Sequence, residues 1–433
     1  MTNELVRASG ADAKFFEDSF EEFAKRDDLS QFDSIGVHGI WSWISAENRG
    51  HIMNIARQHL KSGGMFYNSY NCLPGWAPAA PLRELLAIYD RYLGHGGSTN
   101  ARVGNAMKFV EDMLAAQPAY TKIAPNFAGV FNGLKKHSRD YLAHEYLNLD
   151  WDLMYFTDVA EISQAAKLDF ATSAAPVEQI EDNYLPAPAQ NFLKNIDNPL
   201  VREQARDYFV NRQFRKDIFV RGLRRMNAAA VPEKILSTRY VLHVPAKNIK
   251  PKFMTTVGEL NVSDELLRPL LEYLQEDNFR AKNLTDYLKR NPSVNPMMLI
   301  SFVVLLVNDY KVMPCQSDEV AAQVQKTCRQ LNAHICERSK SAEAINFLAS
   351  PLTGCAVVAD RLQQIFLSQV MQGHDTADKL AAGAWKIFSS RSESFVTKEK
   401  RLETPQENLN HLNGLAQEFL STQLPIFKAL LIV

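Results

Sequence analysis

The sequence predicts an α/β protein: a sheet started by one parallel strand–helix–strand unit near the beginning of the chain, then a mostly helical remainder. Three observations carry this. Phe32–Val37 and Met65–Tyr70 are short runs of β-branched and aromatic residues, the pattern of buried strands. Between them Ile52, Ile55, Ala56 and Leu60 recur at helical spacing. From about Asn191 onward, helical periodicities outnumber strand-like runs.

Taken in order, Met1–Gly10 carries Leu5, Val6 and Ala8 in a helix-like pattern that Gly10 can end. Ala13–Phe16 reads as a strand finishing at Glu17-Asp18-Ser19-Phe20, before an acidic helix over Glu21–Asp28. After Phe32–Val37 comes the aromatic turn His38-Gly39-Ile40-Trp41-Ser42-Trp43-Ile44. Ser45 then suits an N-cap, Glu47 suits the first turn, and Gly63-Gly64 is read as the helix stop. Met65–Tyr70 leads into a second turn, Asn71-Cys72-Leu73-Pro74-Gly75-Trp76. Strands joined by a helix run parallel with a right-handed crossover, and so end at the same sheet edge. His38–Trp43 and Tyr70–Trp76 therefore face one crevice, where open α/β sheets bind ligands.

Pro81–Leu93 (Leu82, Leu85, Leu86, Tyr89) predicts an amphipathic helix lying over that edge as a lid, and Asn105–Gln117 predicts another. Gly94-His95-Gly96-Gly97 lies in a linker and closes no strand, which makes it a weak phosphate loop. Tyr141–Asn148 precedes a helix entered at Tyr155–Asp158, and Asp169–Thr172 reads as an antiparallel strand. Ala174–Pro188 is a Pro- and Ala-rich boundary. The arginines from Arg202 to Arg225 are interleaved with Glu203, Asp207 and Asp217 and lack alternating aromatics. They predict a solvated, salt-bridged helix face and no nucleic-acid surface. Beyond them come a strand at Tyr240–Pro245, helices over Asp264–Leu274, Leu284–Lys289 and Asn295–Asn308, and a hairpin at Tyr310–Pro314. Amphipathic helices follow over Ser317–Arg338, Asp360–Gln372 and His411–Leu430.

At 433 residues and 46% hydrophobic content, two or three domains with real cores are expected. A formal net charge of -1 argues against general nucleic-acid or membrane-surface binding. No secretory signal opens the sequence, and the apolar run near Met297–Val307 falls short of the roughly 20 residues that span a bilayer. Five cysteines without a C-x-x-C pair predict neither disulfides nor a zinc site, consistent with reduced cytoplasm. His334 and Cys336, two apart on a helix, point to different sides, so no metal site is expected there.

The two turns carry a resemblance. His38-Gly39-Ile40-Trp41-Ser42-Trp43 followed by Ser69-Tyr70-Asn71-Cys72-Leu73-Pro74-Gly75-Trp76 resembles the fourth- and fifth-strand motifs of bacterial class I S-adenosylmethionine-dependent methyltransferases with a methyltransferase regulatory domain. That group includes the rickettsial outer-membrane-protein lysine methyltransferases. Tyr141–Asn148 is similar to the family's His-Glu/Asp-Tyr-Leu motif, and Asn198–Asp217 to its regulatory domain. The resemblance implies an incomplete Rossmann-like methyltransferase sheet over residues 1–188, a regulatory domain over 189–250 and a winged-helix-like, helical C-terminal domain over 251–433. It implies S-adenosylmethionine as cofactor and a protein lysine, with outer-membrane proteins among the acceptors, as substrate. By resemblance Asp18, Ser19 and Phe20 lie at the adenine, and His38, Gly39 and Trp41 near the methionyl part. Tyr70, Asn71 and His144 are the catalytic candidates: Asn71 is a polar group at the substrate mouth, and His144 accepts a proton or, with Glu145, pins the lid. Trp41, Trp43, Tyr70 and Trp76 form either an aromatic cage for the sulfonium or simply core.

One part of the family pattern is missing: no Gly-x-Gly turn precedes residue 13. Against the family sheet (order 3-2-1-4-5-7-6), strands one and two are absent, leaving open edges. A start site further upstream, a homodimer partner or second chain completing the sheet, and a decayed gene all stay open. So does a second function: a non-catalytic regulatory or protein-interaction remnant of such an enzyme.

Overall fold

Phe32–Val37 (β1) and Leu60–Asn71 (β2) pair in parallel, joined by the Ala46–His59 helix, as the sequence predicts. Ser45 caps that helix, its hydroxyl accepting the Asn48 N–H at 3.2 Å. The helix does not stop at Gly63-Gly64. It ends at His59, and the glycines fall inside β2, where the register jumps from Phe32↔Leu60 to Ser34↔Met65. Gly63 has φ +78°, and a Cβ on Gly64 would sit 2.8 Å from the Lys61 carbonyl. The pair therefore builds a bulge that side chains would block.

The computed structural model describes residues 2–94, 96–256, 258–341, 345–396 and 401–433. His95, within the Gly94–Gly97 run, lies outside them. Leu168–Ser173 (β3) and Phe214–Arg221 (β4) complete a four-stranded sheet in the order β1-β2-β4-β3. β4 is antiparallel to both neighbours, from Met65↔Val220 to Asn71↔Phe214 against β2. This overturns part of the helix-face reading of the arginine-rich run. Pro199–Phe209 is a helix, but Phe214–Arg221 is a central strand whose Arg215, Asp217 and Phe219 point inward. Period-two alternation, not helical spacing, governs those charges. The strand expected at Ala13–Phe16 does not form: Phe15 is 55% exposed, and no partner strand lies beside it among the described residues.

The chain divides into two compact units. One comprises Glu17–Arg225 with Thr255–Gly258, the other Met1–Phe16, Met226–Met254 and Glu259–Val433. In the first, Trp41, Ile52, Phe66, Tyr70, Phe156 and Phe219 form the core of the sheet with its helices. A satellite core joins the Ala80–Leu93, Thr99–Ala115, Phe127–Leu134 and Arg139–Tyr146 helices through Leu82, Leu86, Val110, Phe131 and Leu142.

In the second unit, Arg239–Leu242 lies between Lys282–Asn283 and Val312–Pro314 in a small antiparallel sheet beside helices Asp264–Phe279, Leu284–Arg290 and Pro296–Asn308. Tyr310–Pro314 is no hairpin: Val312–Pro314 pairs with Arg239–Leu242 because Lys311 turns back to donate to the Leu306 carbonyl at 2.8 Å. The Thr2–Ser9 helix packs on Asp318–Arg338, where Glu4 pairs with Arg338 at 2.8 Å and His334 at 3.1 Å. The single helix expected over His411–Leu430 is broken into Pro405–Glu418, a π turn at Phe419–Gln423, and Leu424–Ala429.

Among the described residues, no helix is long and apolar enough to cross a membrane, and no cluster of three metal-ligating side chains occurs. All five cysteines are free.

Candidate functional site at the C-terminal edge of the parallel strands

The two turns meet. The Gly39 N–H donates to Ser69 Oγ at 2.8 Å, and the Asn71 N–H donates to Ser42 Oγ at 2.9 Å. Gly39 has φ +63°, a conformation that suits glycine and frees its N–H to reach across to β2. Gly75 serves a different need: a Cβ there would lie 2.3 Å from the Arg212 carbonyl, so only glycine lets the second turn approach the chain before β4.

His38 is exposed at the end of β1, its Nδ1 3.1 Å from the Tyr67 hydroxyl and 3.2 Å from Ser69 Oγ. Asn71 ends β2 and is buried, at 8% exposure. Trp43 is half-buried and carries the exposed His144 ring against it, centroids 5.4 Å apart. Beside His144, burial raises the Glu145 carboxyl above its ordinary pKa, with His144 opposing the rise. His38, Gly39, Asn71 and His144 thus belong to one edge of the sheet.

Trp41 and Tyr70 are placed otherwise. Both lie in the same core, Trp41 at 0% and Tyr70 at 1% exposure, so each supports a turn from beneath and offers no open face. The Tyr70 hydroxyl is committed to Asp217 Oδ2 at 2.7 Å, and burial pushes the phenol well above its ordinary pKa. At the other named segment, Ser19 caps the Phe20–Ala24 helix: its hydroxyl accepts the Glu22 N–H while its own N–H donates to the Glu22 carboxylate at 2.8 Å. Asp18 pairs with Arg26 at 2.9 Å, and Phe20 packs against the sheet core.

Much of the support for this edge went unread in the sequence. Arg49, 4% exposed, donates to the carbonyls of Trp41 (3.1 Å) and Ile44 (2.9 Å) and pairs with Asp152, fixing the first turn. The Asp152 N–H donates to the Ser42 carbonyl at 2.9 Å, and the Leu73 N–H to the Met154 carbonyl at 3.1 Å. Arg83 of the Ala80–Leu93 helix lies over the Trp151 ring at 4.7 Å, anchoring that helix through the same segment.

Below Tyr70 sits a buried ionic cluster. Arg215, 1% exposed, donates to Asp217 (2.9 Å), Asp207 (2.6 Å) and Glu203 (2.8 Å). Arg212 reaches Asp207 at 3.2 Å and Glu178 at 2.5 Å. Burial pushes Asp207 up to about 7, against the opposing pull of Arg215. Burial likewise raises Asp217, and Arg215 and the Tyr70 hydroxyl oppose it. An arginine with carboxylates at spacings of 2, 8 and 12 residues was the available signal.

Comparisons with known proteins agree with this architecture. Residues 138–221 match the family described as a predicted methyltransferase regulatory domain. That stretch includes the His144 helix, β3, Arg212, Arg215 and all of β4. The Synechocystis sp. protein sll1526 is 36% identical over 420 residues, covering 96% of this chain and 81% of that protein. The Rickettsia prowazekii protein RP789 is 25% identical over 254 residues, 58% of this chain and 44% of its own length. The structure of PKMT2 from Rickettsia typhi, solved in complex with AdoHcy, matches with a TM-score of 0.66 at 15% identity. It covers 97% of this chain and 85% of that one. At that identity the likeness shows a shared fold. The near-complete match to the Synechocystis relative shows more: the chain belongs to one family with sll1526, and within it residues 138–221 match a predicted methyltransferase regulatory domain.

Proposed function

We propose that this chain takes part in methyl transfer from S-adenosylmethionine to a lysine side chain of a protein, at the edge where β1 and β2 end. The observation that carries the reading is the junction of the two turns, Gly39 to Ser69 and Asn71 to Ser42. It brings His38, Asn71 and His144 to one side of the sheet. PKMT2 of Rickettsia typhi, which shares the fold, was solved with AdoHcy, the product S-adenosylmethionine leaves after giving up its methyl group.

The residues fit the methionyl end of such a cofactor. A Cβ on Gly36 or Gly39 would meet nothing within 4 Å, so the end of β1 is open beside the His38 imidazole. The Asp18–Phe20 segment fits less well, since Ser19 is spent on its cap and Asp18 on Arg26. There the Phe20 ring and the backbone would have to serve. When bound, the cofactor supplies an electrophilic methyl on a sulfonium. The chain's own work is to position an acceptor amine in line with it and to keep that amine neutral, and positioning alone can lower the barrier by several kcal/mol. Trp43 with His144 offers an aromatic wall for an aliphatic amine chain, and the His144 imidazole is a base that can take up the proton the amine loses.

A second reading, a non-catalytic interaction protein built on this fold, is favoured by one observation: the complete burial of Trp41 and Tyr70. Incubation with methyl-tritiated S-adenosylmethionine and lysine-bearing acceptor proteins separates the two. Label on lysine that falls at least about tenfold in His144→Ala, with KM for the acceptor rising, supports methyl transfer. Label absent from every acceptor supports the second reading.

A further inference from the structure

A cavity of about 480 Å³ lies between the Ala187–Lys194 helix, the Pro199–Phe209 helix and β3. Its floor is apolar, made by Phe170, Leu193 and Pro199. Its walls carry four cations, Lys194, Arg202, Arg206 and Arg225, against two carboxylates, Glu181 and Glu203. Both carboxylates are engaged: Glu181 accepts from Arg206 at 3.1 Å, and Glu203 accepts from the buried Arg215 at 2.8 Å. Arg225 is held at the rim by donating to the Phe170 carbonyl at 3.1 Å and the Ala171 carbonyl at 3.2 Å.

Lys194 and Arg202 are exposed and make no ion pair among the described residues. Arg202 also stands in the first turn of its helix, which holds no acidic residue, so the positive end of the helix dipole adds to the cations. Cations on a solvated helix face spread apart. Here they converge on a concavity with an apolar floor, and the volume is in the range of small-molecule sites.

We propose that this cavity binds a small organic anion bearing a phosphate group, the charged end against Lys194 and Arg202 and the organic part over Phe170 and Leu193. Guanidinium groups present paired N–H donors that match phosphate oxygens, and the ring and aliphatic floor suits a flat apolar body. The proposal is independent of methyl transfer, because none of these side chains belongs to the β1–β2 edge.

The test is isothermal titration of the full chain with inorganic phosphate and with phenyl phosphate, at low and at moderate salt. Phenyl phosphate should bind, and bind more tightly than inorganic phosphate by about threefold or more through burial of the ring. Its affinity should fall about tenfold or more in the double variant Lys194→Glu/Arg202→Glu, and fall with added salt. Arg202→Lys, which keeps the charge but loses the paired N–H donors, should bind about threefold or more weakly than the parent and still more tightly than the double variant. An unchanged thermal melt of the double variant would tie lost binding to the site and not to the fold. No heat with either probe at about 10 mM, equal affinity for the two probes, or unchanged binding in the double variant would overturn the proposal.

Discussion

Replacing Arg215 with methionine should make the stability of this protein steeply dependent on pH. Arg215 is the cation shared by Asp217 (2.9 Å), Asp207 (2.6 Å) and Glu203 (2.8 Å), with side chains 1%, 0% and 13% exposed. Among the described residues, its loss leaves them only the Tyr70 hydroxyl (2.7 Å), Arg212 (3.2 Å) and Arg206 (3.6 Å) respectively. Removing one partner of a buried ion pair costs about 3–5 kcal/mol. The sign with pH follows from the direction of the shifts. Asp207 is raised to about 7 in the folded chain by burial, against an ordinary value of 3.8. A carboxyl raised on folding contributes stability that is whole below about pH 4 and lost as pH climbs through 7. Arg215 is what opposes the rise at both Asp207 and Asp217, so without it both shift further upward. The variant's deficit should therefore widen with pH by up to about 1.4 kcal/mol per unit for each proton retained. The deficit should be larger at pH 8 than at pH 5, because above about pH 7 the parent gives up the Asp207 proton that the variant keeps. Urea unfolding followed by tryptophan fluorescence suits the question, because Trp41, Trp43, Trp76 and Trp151 all lie in the unit that holds Arg215. An equal deficit at every pH, or one under about 1 kcal/mol at pH 8, would refute the view of Arg215 as the neutralising centre.

Other substitutions probe the two turns. Ser42→Ala leaves the buried Asn71 N–H without its 2.9 Å acceptor. It should lower stability by about 1–3 kcal/mol and weaken cofactor binding, both readable from a thermal melt with and without S-adenosylmethionine. Tyr70→Phe removes the hydroxyl held by Asp217 at 2.7 Å. A charge-assisted bond of that kind contributes about 1.5–3 kcal/mol, so the melt should shift while kcat stays within about threefold; a collapse of kcat at unchanged stability would make Tyr70 a catalytic residue. Arg49→Ala unties the Trp41 and Ile44 carbonyls and the half-exposed Asp152 carboxylate, and should cost about 1–3 kcal/mol in urea unfolding.

The β1–helix–β2 unit was legible because one apolar periodicity gives way cleanly to another, with Ser45 marking the helix start. The meeting of the two turns followed from parallel strands ending at one edge. The burial of Trp41 and Tyr70 was less legible, since a bulky aromatic in a turn reads the same whether it supports the backbone or lines a crevice. β4 was missed for a physical reason: Arg215 and Asp217 face inward on a strand, and inward charges break the apolar alternation by which strands are read. Their burial depends on partners at Glu203 and Asp207 in a neighbouring helix, a tertiary arrangement that no window of sequence displays. Gly63-Gly64 misled for a related reason, because glycine serves a bulge and a helix end equally well.

In the proposed function the edge formed by His38–Trp43 and Ser69–Trp76 receives S-adenosylmethionine. Photo-crosslinking of methyl-tritiated S-adenosylmethionine to the protein, followed by peptide mapping, tests this. Label is expected within those two segments, reduced about tenfold or more by His38→Ala and competed by S-adenosylhomocysteine. Label confined to other peptides, or none that S-adenosylhomocysteine displaces, would contradict it.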